Sequence, residues 1–429
     1  MHSFHYRDSK LHCEDVDLGR VAQEFGTPLY IYSAGTILDH YRRLDSALAS
    51  LDHLICYAVK ANSNRAILKL LADAGAGFDI VSAGELFRVR AAGGLPDRCT
   101  FAGVGKSREE IEYALEQGVY SLNVESEAEL DYINQIAGAK NLRASIALRL
   151  NPDVDPHTHE YISTGSHENK FGIALEHAAA VYERAAMMSN IRIVGVQMHI
   201  GSQITETEPF AEAIRKVSPL VSELKAKYRI EFFSIGGGLG IVYESSLASG
   251  SGDWWQASKT ALSIQQYVNA VLPELRELKL KILLEPGRLL AGNAGVLLTR
   301  VRYLKQSGQK KFAIVDAGMN DLIRPALYHS YHEIVPVDEP RSSAREKIDV
   351  VGPVCESADF FALDREMPEL QEGDLLAIMS AGAYGFVMAS NYNSRPLPAE
   401  AFVHGNKFAL IRQRQTFEDL IRGEVGPTF

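Results

Sequence analysis

The stretch with the clearest chemical potential is Tyr57-Ala58-Val59-Lys60-Ala61-Asn62. Four mostly apolar residues, Leu54 to Tyr57, read as a buried strand, and Lys60 stands just past its end. An ammonium there either snorkels to the surface or pairs with a carboxylate, because burying it alone is costly. The reactive alternative is a Schiff-base lysine, which works well once desolvation lowers its pKa. Three other positions bear on that choice. His199 closes the apolar run Val196-Gln197-Met198, although a lone histidine there is more often a hydrogen-bonded core residue. The run Gly236-Gly237-Gly238-Leu239-Gly240 is not the G-x-G-x-x-G of dinucleotide binding. Glycines after a strand either make a tight turn at positive φ or let backbone N–H groups close around a phosphate. Glu285, in Glu285-Pro286-Gly287-Arg288, follows four apolar residues and needs a partner, either Arg288 or a cationic ligand. A lysine for an imine, a phosphate cradle, a flat neighbour in His199 and a carboxylate for a pyridinium nitrogen together describe a site for pyridoxal phosphate.

Two further motifs carry less. Thr100–Ser107 ends Gly105-Lys106-Ser107 as a P-loop does, but Thr100 stands where the first glycine belongs, so nucleotide binding is not expected. His157 and His159 have no third ligand at a recognisable spacing; they read as part of a solvated loop, and no metal is expected.

The elements that must position these groups follow a repeating pattern. Apolar runs at Leu54–Tyr57, Gly77–Val81, Cys99–Ala102, Tyr120–Val124, Ser145–Leu150, Ile193–Met198, Glu231–Ile235 and Leu280–Leu284 alternate with amphipathic helical segments. Eight strands alternating with helices predict parallel strands closing into a (β/α)8 barrel, with an open doubly wound sheet as the alternative. Catalytic groups of a barrel sit just after the C-terminal ends of its strands. The residues there are Lys60, Asp79 with Ser82, Lys106, Glu125, Asn151, His199 with Ser202, the glycine run, and Glu285 with Arg288. Beyond about residue 295 the helical period gives way to short strands at Val296–Tyr303, Phe312–Val315, Ile348–Val351, Leu375–Met379 and Phe408–Ile411. The expected organisation is a barrel over residues 36–292 and a β-rich domain built from 1–35 and 293–429, the latter joined by a strand near residue 30. Ser245–Gly252 and Asp338–Arg345 read as flexible, and Trp254 and Trp255 have no assigned role.

Composition narrows the class. The chain has 429 residues, 46% of them hydrophobic and 23% charged, as in an ordinary soluble globular protein. A net charge of -10 argues against nucleic acid or an anionic membrane as the main partner. No apolar run approaches a membrane span, and the polar start Met1-His2-Ser3-Phe4-His5 lacks a signal-peptide core. Cys13, Cys56, Cys99 and Cys355 are scattered, which fits reduced thiols in a cytoplasm.

Over nearly its whole length the chain resembles the alanine-racemase-like barrel enzymes that use pyridoxal phosphate, and within them the diaminopimelate decarboxylases. The resemblance is carried by Tyr57–Asn62, Phe78–Glu85, Glu168–Gly172, His199–Gln203, Gly236–Gly240 and Glu285–Arg288. In the second domain it is carried by Asp316–Asn320, Arg324–Tyr328, Cys355–Ser357 and Gly382–Gly385. It implies that Lys60 carries the cofactor, that His199 stacks on its ring and that Glu285 keeps the pyridine nitrogen protonated. Ser202, the amides of Gly236, Gly237 and Gly238, and Tyr384 would hold the phosphate, with Gly287 and Arg288 also on the cofactor. Arg288, Arg324, Tyr328, Tyr384 and Glu356 would hold the amino-acid end that does not react. Cys355 or Lys60 would return a proton after CO2 leaves. By the same resemblance Cys355 and Glu356 act from the second subunit of an obligate homodimer. Decarboxylases of ornithine and arginine share the lysine and the Glu-Pro-Gly-Arg element, but a substrate that keeps a far carboxylate calls for bidentate arginine recognition, which Arg324 with Tyr328 would supply. The implied reaction is decarboxylation of meso-2,6-diaminopimelate at its D-centre to lysine. A decarboxylase of another basic amino acid, a racemase, or a catalytically silent relative are the alternatives.

Overall fold

Polar residues at the ends of the apolar runs punctuate the first half of the chain. Asn64, Ser82, Ser126 and Ser263 each accept a backbone N–H as helix N-caps, and Ser107 does so within a capping box with Glu110. The helices so started run Arg65–Asp73, Ala83–Ala91, Arg108–Gln117, Glu127–Ala139 and Ile264–Leu278, with Leu175–Ala186 and Glu208–Tyr228 between them. In this computed structural model the described residues are 2–155, 170–251, 262–340 and 343–427. His157, His159, Glu168, Asn169, Trp254 and Trp255 lie outside them.

The chain divides into two compact units. One comprises Leu38–Ile241 and Ser258–Leu290. Its parallel strands run His53–Ala58, Gly77–Ile80, Cys99–Phe101, Ser121–Val124, Ala144–Asn151, Ile191–Met198, Phe232–Ser234 and Lys281–Leu284. Each pairs with the next, and the last pairs with the first through Leu284 and Ile55, so the eight close into a barrel. A short strand, Ile173–Ala174, adds beside Ala144–Asn151. Cys56, Ala147, Val194, Phe232 and Leu283 form an apolar cluster drawn from five of these strands.

The other unit comprises Met1–Ile37, Val242–Ala257 and Ala291–Phe429. Its main sheet has the order Phe360–Pro368, Arg345–Val351, Lys310–Val315, Gly295–Ser307, Leu29–Ser33, Ala399–His404, Lys407–Arg412. Leu375–Ile378 pairs with Gly295–Ser307, and Ile334–Pro336 pairs with Leu375–Ile378. The strand near residue 30 is thus interior to this sheet, between Gly295–Ser307 and Ala399–His404. A three-stranded sheet of Phe4–Arg7, Lys10–Cys13 and Val16–Asp17 packs Phe4, Leu11, Cys13 and Val16 into the core of this unit. The segment from Ser245, expected to be loose, is anchored through its described part: Ser246 and Ser249 are buried, and Ser246 bonds Ser380 at 2.5 Å.

Candidate active site

The barrel strands end on separate hydrogen-bonded groups of polar side chains. Lys60 lies in the short 3-10 turn Val59–Ala61, immediately after the first strand, and its Nζ donates to Asp79 Oδ2 at 2.6 Å. Asp79 is fully buried on the second strand, in register with Ala58. Glu285 follows the eighth strand. Its Oε1 accepts from Ser234 Oγ at 2.7 Å, and its Oε2 accepts from Gln197 Nε2 at 3.0 Å. Burial pushes the Glu285 carboxyl up to about 7, and the Asp79 charge adds to the shift, while the Ser234 bond and the Lys60 charge oppose it.

His199 follows the sixth strand, and its Nδ1 accepts the Gly237 N–H at 3.2 Å. An imidazole nitrogen that accepts carries no proton. Burial, with the charges of Arg149 and Lys60, holds this histidine well below its ordinary pKa, so it is a neutral flat ring. At the glycine run, Gly236 has φ +69°, where side chains are disfavoured, and a Cβ on Gly237 would lie 2.2 Å from the Glu285 carbonyl oxygen. Backbone therefore packs against backbone there, with Gly238 completing the turn. Arg288 Nη2 donates to Ser202 Oγ at 3.0 Å, and Gly287 sits against Ala58 and Ala61 beside the lysine turn. These groups suit pyridoxal phosphate. They offer a lysine amine, a tight glycine turn after the seventh strand, a neutral ring for stacking, and a buried carboxyl whose ionisation a cationic ring nitrogen would favour.

Several polar residues at the strand ends are framework. Ser82 caps a helix, Lys106 donates to the carbonyls of Gly103 and Asn123 and to Glu129, and Asn151 accepts the Asp153 N–H. The Arg149–Glu125 pair is buried, with Nη1 3.1 Å from both carboxylate oxygens. Sequence reasoning singles out neither Gln197 nor Ser234. The available signal is a polar side chain inside an otherwise apolar strand, since such a group needs a partner.

In the other unit, Arg324 opens the short helix Arg324–Tyr328 and is buried. Its Nη2 donates to Tyr243 Oη at 3.3 Å and Ser330 Oγ at 3.2 Å, and its Nε to His332 Nε2 at 3.4 Å. The Tyr243 and Tyr328 rings face the guanidinium at 5.3 and 5.7 Å. Cys355 is a free, exposed thiol whose N–H donates to Asn393 Oδ1 at 2.8 Å. Glu356 is exposed, and Tyr384 is held at φ 57° between Gly382 and Gly385.

The raised Glu285 carboxyl makes a prediction about pH. A folded-state value above the unfolded one gives stability that is present at low pH and lost as pH rises through about 7. The cofactor-free protein should therefore lose on the order of 2 kcal/mol between pH 5.5 and 8.5, nearly all of it below about pH 7, as ~1.4 kcal/mol per pH unit between the unfolded and folded values implies. Glu285→Gln, which cannot ionise, should flatten that slope in thermal melts; an unchanged slope would place the titration elsewhere.

Residues 34–292 match the family model described as the pyridoxal binding domain of pyridoxal-dependent decarboxylases. The chain is 49% identical to the diaminopimelate decarboxylase of Pseudomonas aeruginosa, covering 99% of both chains, and 48% identical to that of Vibrio cholerae, covering 98% of both. Among solved structures it resembles the Helicobacter pylori diaminopimelate decarboxylase complexed with L-lysine, at 42% identity and a TM-score of 0.88, covering 95% of this chain and 98% of that one. The M. jannaschii enzyme, in complex with L-lysine, gives 37% identity and a TM-score of 0.91, covering 99% and 98%. The barrel with its lysine turn is that of a pyridoxal-phosphate decarboxylase. Within that class the chain belongs to the diaminopimelate decarboxylase family.

Proposed function

We propose that the reaction takes place at the D-centre of meso-2,6-diaminopimelate, releasing CO2 and leaving L-lysine. The observation that carries this reading is the bonded set Lys60–Asp79 and Glu285–Ser234–Gln197 at one end of the barrel. In this reading Lys60 is the covalent anchor of the cofactor and His199 lies against its ring. The amides of Gly236, Gly237 and Gly238, with Ser202, Gly287, Arg288 and Tyr384, hold the cofactor. Pyridoxal phosphate, when bound, supplies the conjugated ring that accepts the electron pair of the breaking C–C bond. Glu285, fixed by Ser234 and Gln197, keeps a negative charge where the ring nitrogen needs one. Asp79 receives the Lys60 ammonium whenever that amine is not bonded to the cofactor. A proton then goes to the carbon that lost CO2, with the Cys355 thiol or the Lys60 ammonium as donor.

Arg288, Arg324, Tyr328, Tyr384 and Glu356 bind the end that does not react, and Cys355 and Glu356 act from the second copy of a homodimer. The four described cysteines are all unpaired, in keeping with a cytoplasmic enzyme. Among the described residues no helix is long and apolar enough to cross a membrane. Arg324→Ala tests the substrate assignment. A charge-assisted hydrogen bond contributes about 1.5–3 kcal/mol, so the KM for diaminopimelate should rise roughly 10- to 150-fold with kcat less affected. Unchanged kinetics would remove Arg324 from substrate recognition.

A further inference from the structure

Recognition of the far carboxylate has a second layer, which rests on the reading that Arg324 binds it. His332 is fully buried, and its Nδ1 lies 2.8 Å from the Met379 carbonyl oxygen. A carbonyl only accepts, so Nδ1 carries the proton and Nε2 keeps its lone pair. That carbonyl is itself fixed by the sheet, because the Met379 N–H donates to the Glu333 carbonyl at 2.8 Å. Nε2 then faces Arg324 Nε at 3.4 Å as an acceptor. The other tautomer would set two N–H groups against each other, and an imidazolium would set two cations together. Tyr243 closes the group, edge-on to the imidazole at 5.2 Å between centroids and 80° between planes, with its hydroxyl on Arg324 Nη2. Nε and Nη2, one edge of the guanidinium, are therefore engaged by His332, Tyr243 and Ser330.

We propose that His332 is a positioning residue which, locked in its Nδ1–H tautomer by the Met379 carbonyl, sets the direction in which the Arg324 guanidinium meets the substrate carboxylate. A planar fork binds a carboxylate well only when its plane is fixed, so freeing one edge weakens recognition without touching the reacting carbon. His332 thereby determines specificity for substrates that keep a far carboxylate.

Two substitutions separate this role from packing. His332→Asn retains a polar group where Nδ1 was, towards Met379, and withdraws the acceptor from Arg324. His332→Gln retains an acceptor where Nε2 was. In the holoenzyme, His332→Asn should raise both the KM for diaminopimelate and the inhibition constant of L-lysine about tenfold or more, on the scale of one charged hydrogen bond. The kcat, and inhibition by 1,5-diaminopentane, which has no carboxylate, should stay near those of the parent. His332→Gln should restore most of the loss. Equal losses in both variants, failure of both to fold, or an unchanged KM in His332→Asn would make His332 a framework residue and overturn the proposal. Arg324→Ala, measured alongside, tells the two readings apart. A raised KM there with none in His332→Asn removes only the positioning role. No change in Arg324→Ala removes the carboxylate clamp beneath it.

Discussion

Lys60→Ala is expected to lower CO2 release from diaminopimelate by more than about a thousandfold, the scale of losing a group that forms a covalent link in catalysis. Alanine still fits the turn Val59–Ala61, between buried neighbours, so the barrel end should keep its shape. What disappears is the amine and, with it, the ammonium 2.6 Å from the buried Asp79 carboxylate. The absorbance band of lysine-bound cofactor should vanish as well. Removing a cation from beside a buried carboxylate also destabilises it. The thermal stability of Lys60→Ala should therefore recover in part when Asp79→Asn is added, which makes the pairing measurable apart from activity. Substantial turnover by Lys60→Ala would end the Schiff-base reading.

The second large effect concerns the proposed homodimer. Lys60→Ala and Cys355→Ala homodimers should each be nearly inactive, and mixing them should generate activity. If each site takes Lys60 from one subunit and Cys355 from the other, a hybrid dimer has one intact and one doubly damaged site. With random exchange half the dimers are hybrids, so about a quarter of the parent activity should appear. The exposed Cys355 thiol is consistent with service to another chain. Verified exchange without recovery would confine each site to one subunit.

Much of this architecture is legible in the amino-acid sequence, for identifiable reasons. A barrel strand buried on both faces is a short apolar run, and the helix that follows starts with a capping residue, so runs such as Ile193–Met198 and caps such as Ser126 mark their own ends. The position of Lys60 after the first strand follows from the same logic. The second unit is harder to read. Ala399–His404 does not announce itself as a strand, because its Glu400 looks like a surface residue. Glu400 is fully buried because Tyr32 Oη donates to it at 2.7 Å and Arg412 pairs with it, and both partners come from other strands. Phe360–Pro368 is hidden by the charged run Asp364-Arg365-Glu366 at its centre. The candidate site is legible where a residue's type and its place after a barrel strand narrow its chemistry, as with Lys60, the glycine run and Glu285. It is not legible where function depends on pairing across the fold. Gln197 and Ser234 acquire meaning only once the sixth and seventh strands deliver them to Glu285, and His332 only once Met379 fixes its tautomer.

The most direct test of the central claim is CO2 release by the purified protein with pyridoxal phosphate, offered meso-diaminopimelate, ornithine and arginine side by side. The roles proposed for Lys60, Glu285 and Arg324 predict strong preference for diaminopimelate, with L-lysine as the product. Preference for ornithine or arginine would contradict the role given to Arg324, and no release from any of the three, with cofactor bound, would contradict decarboxylation itself.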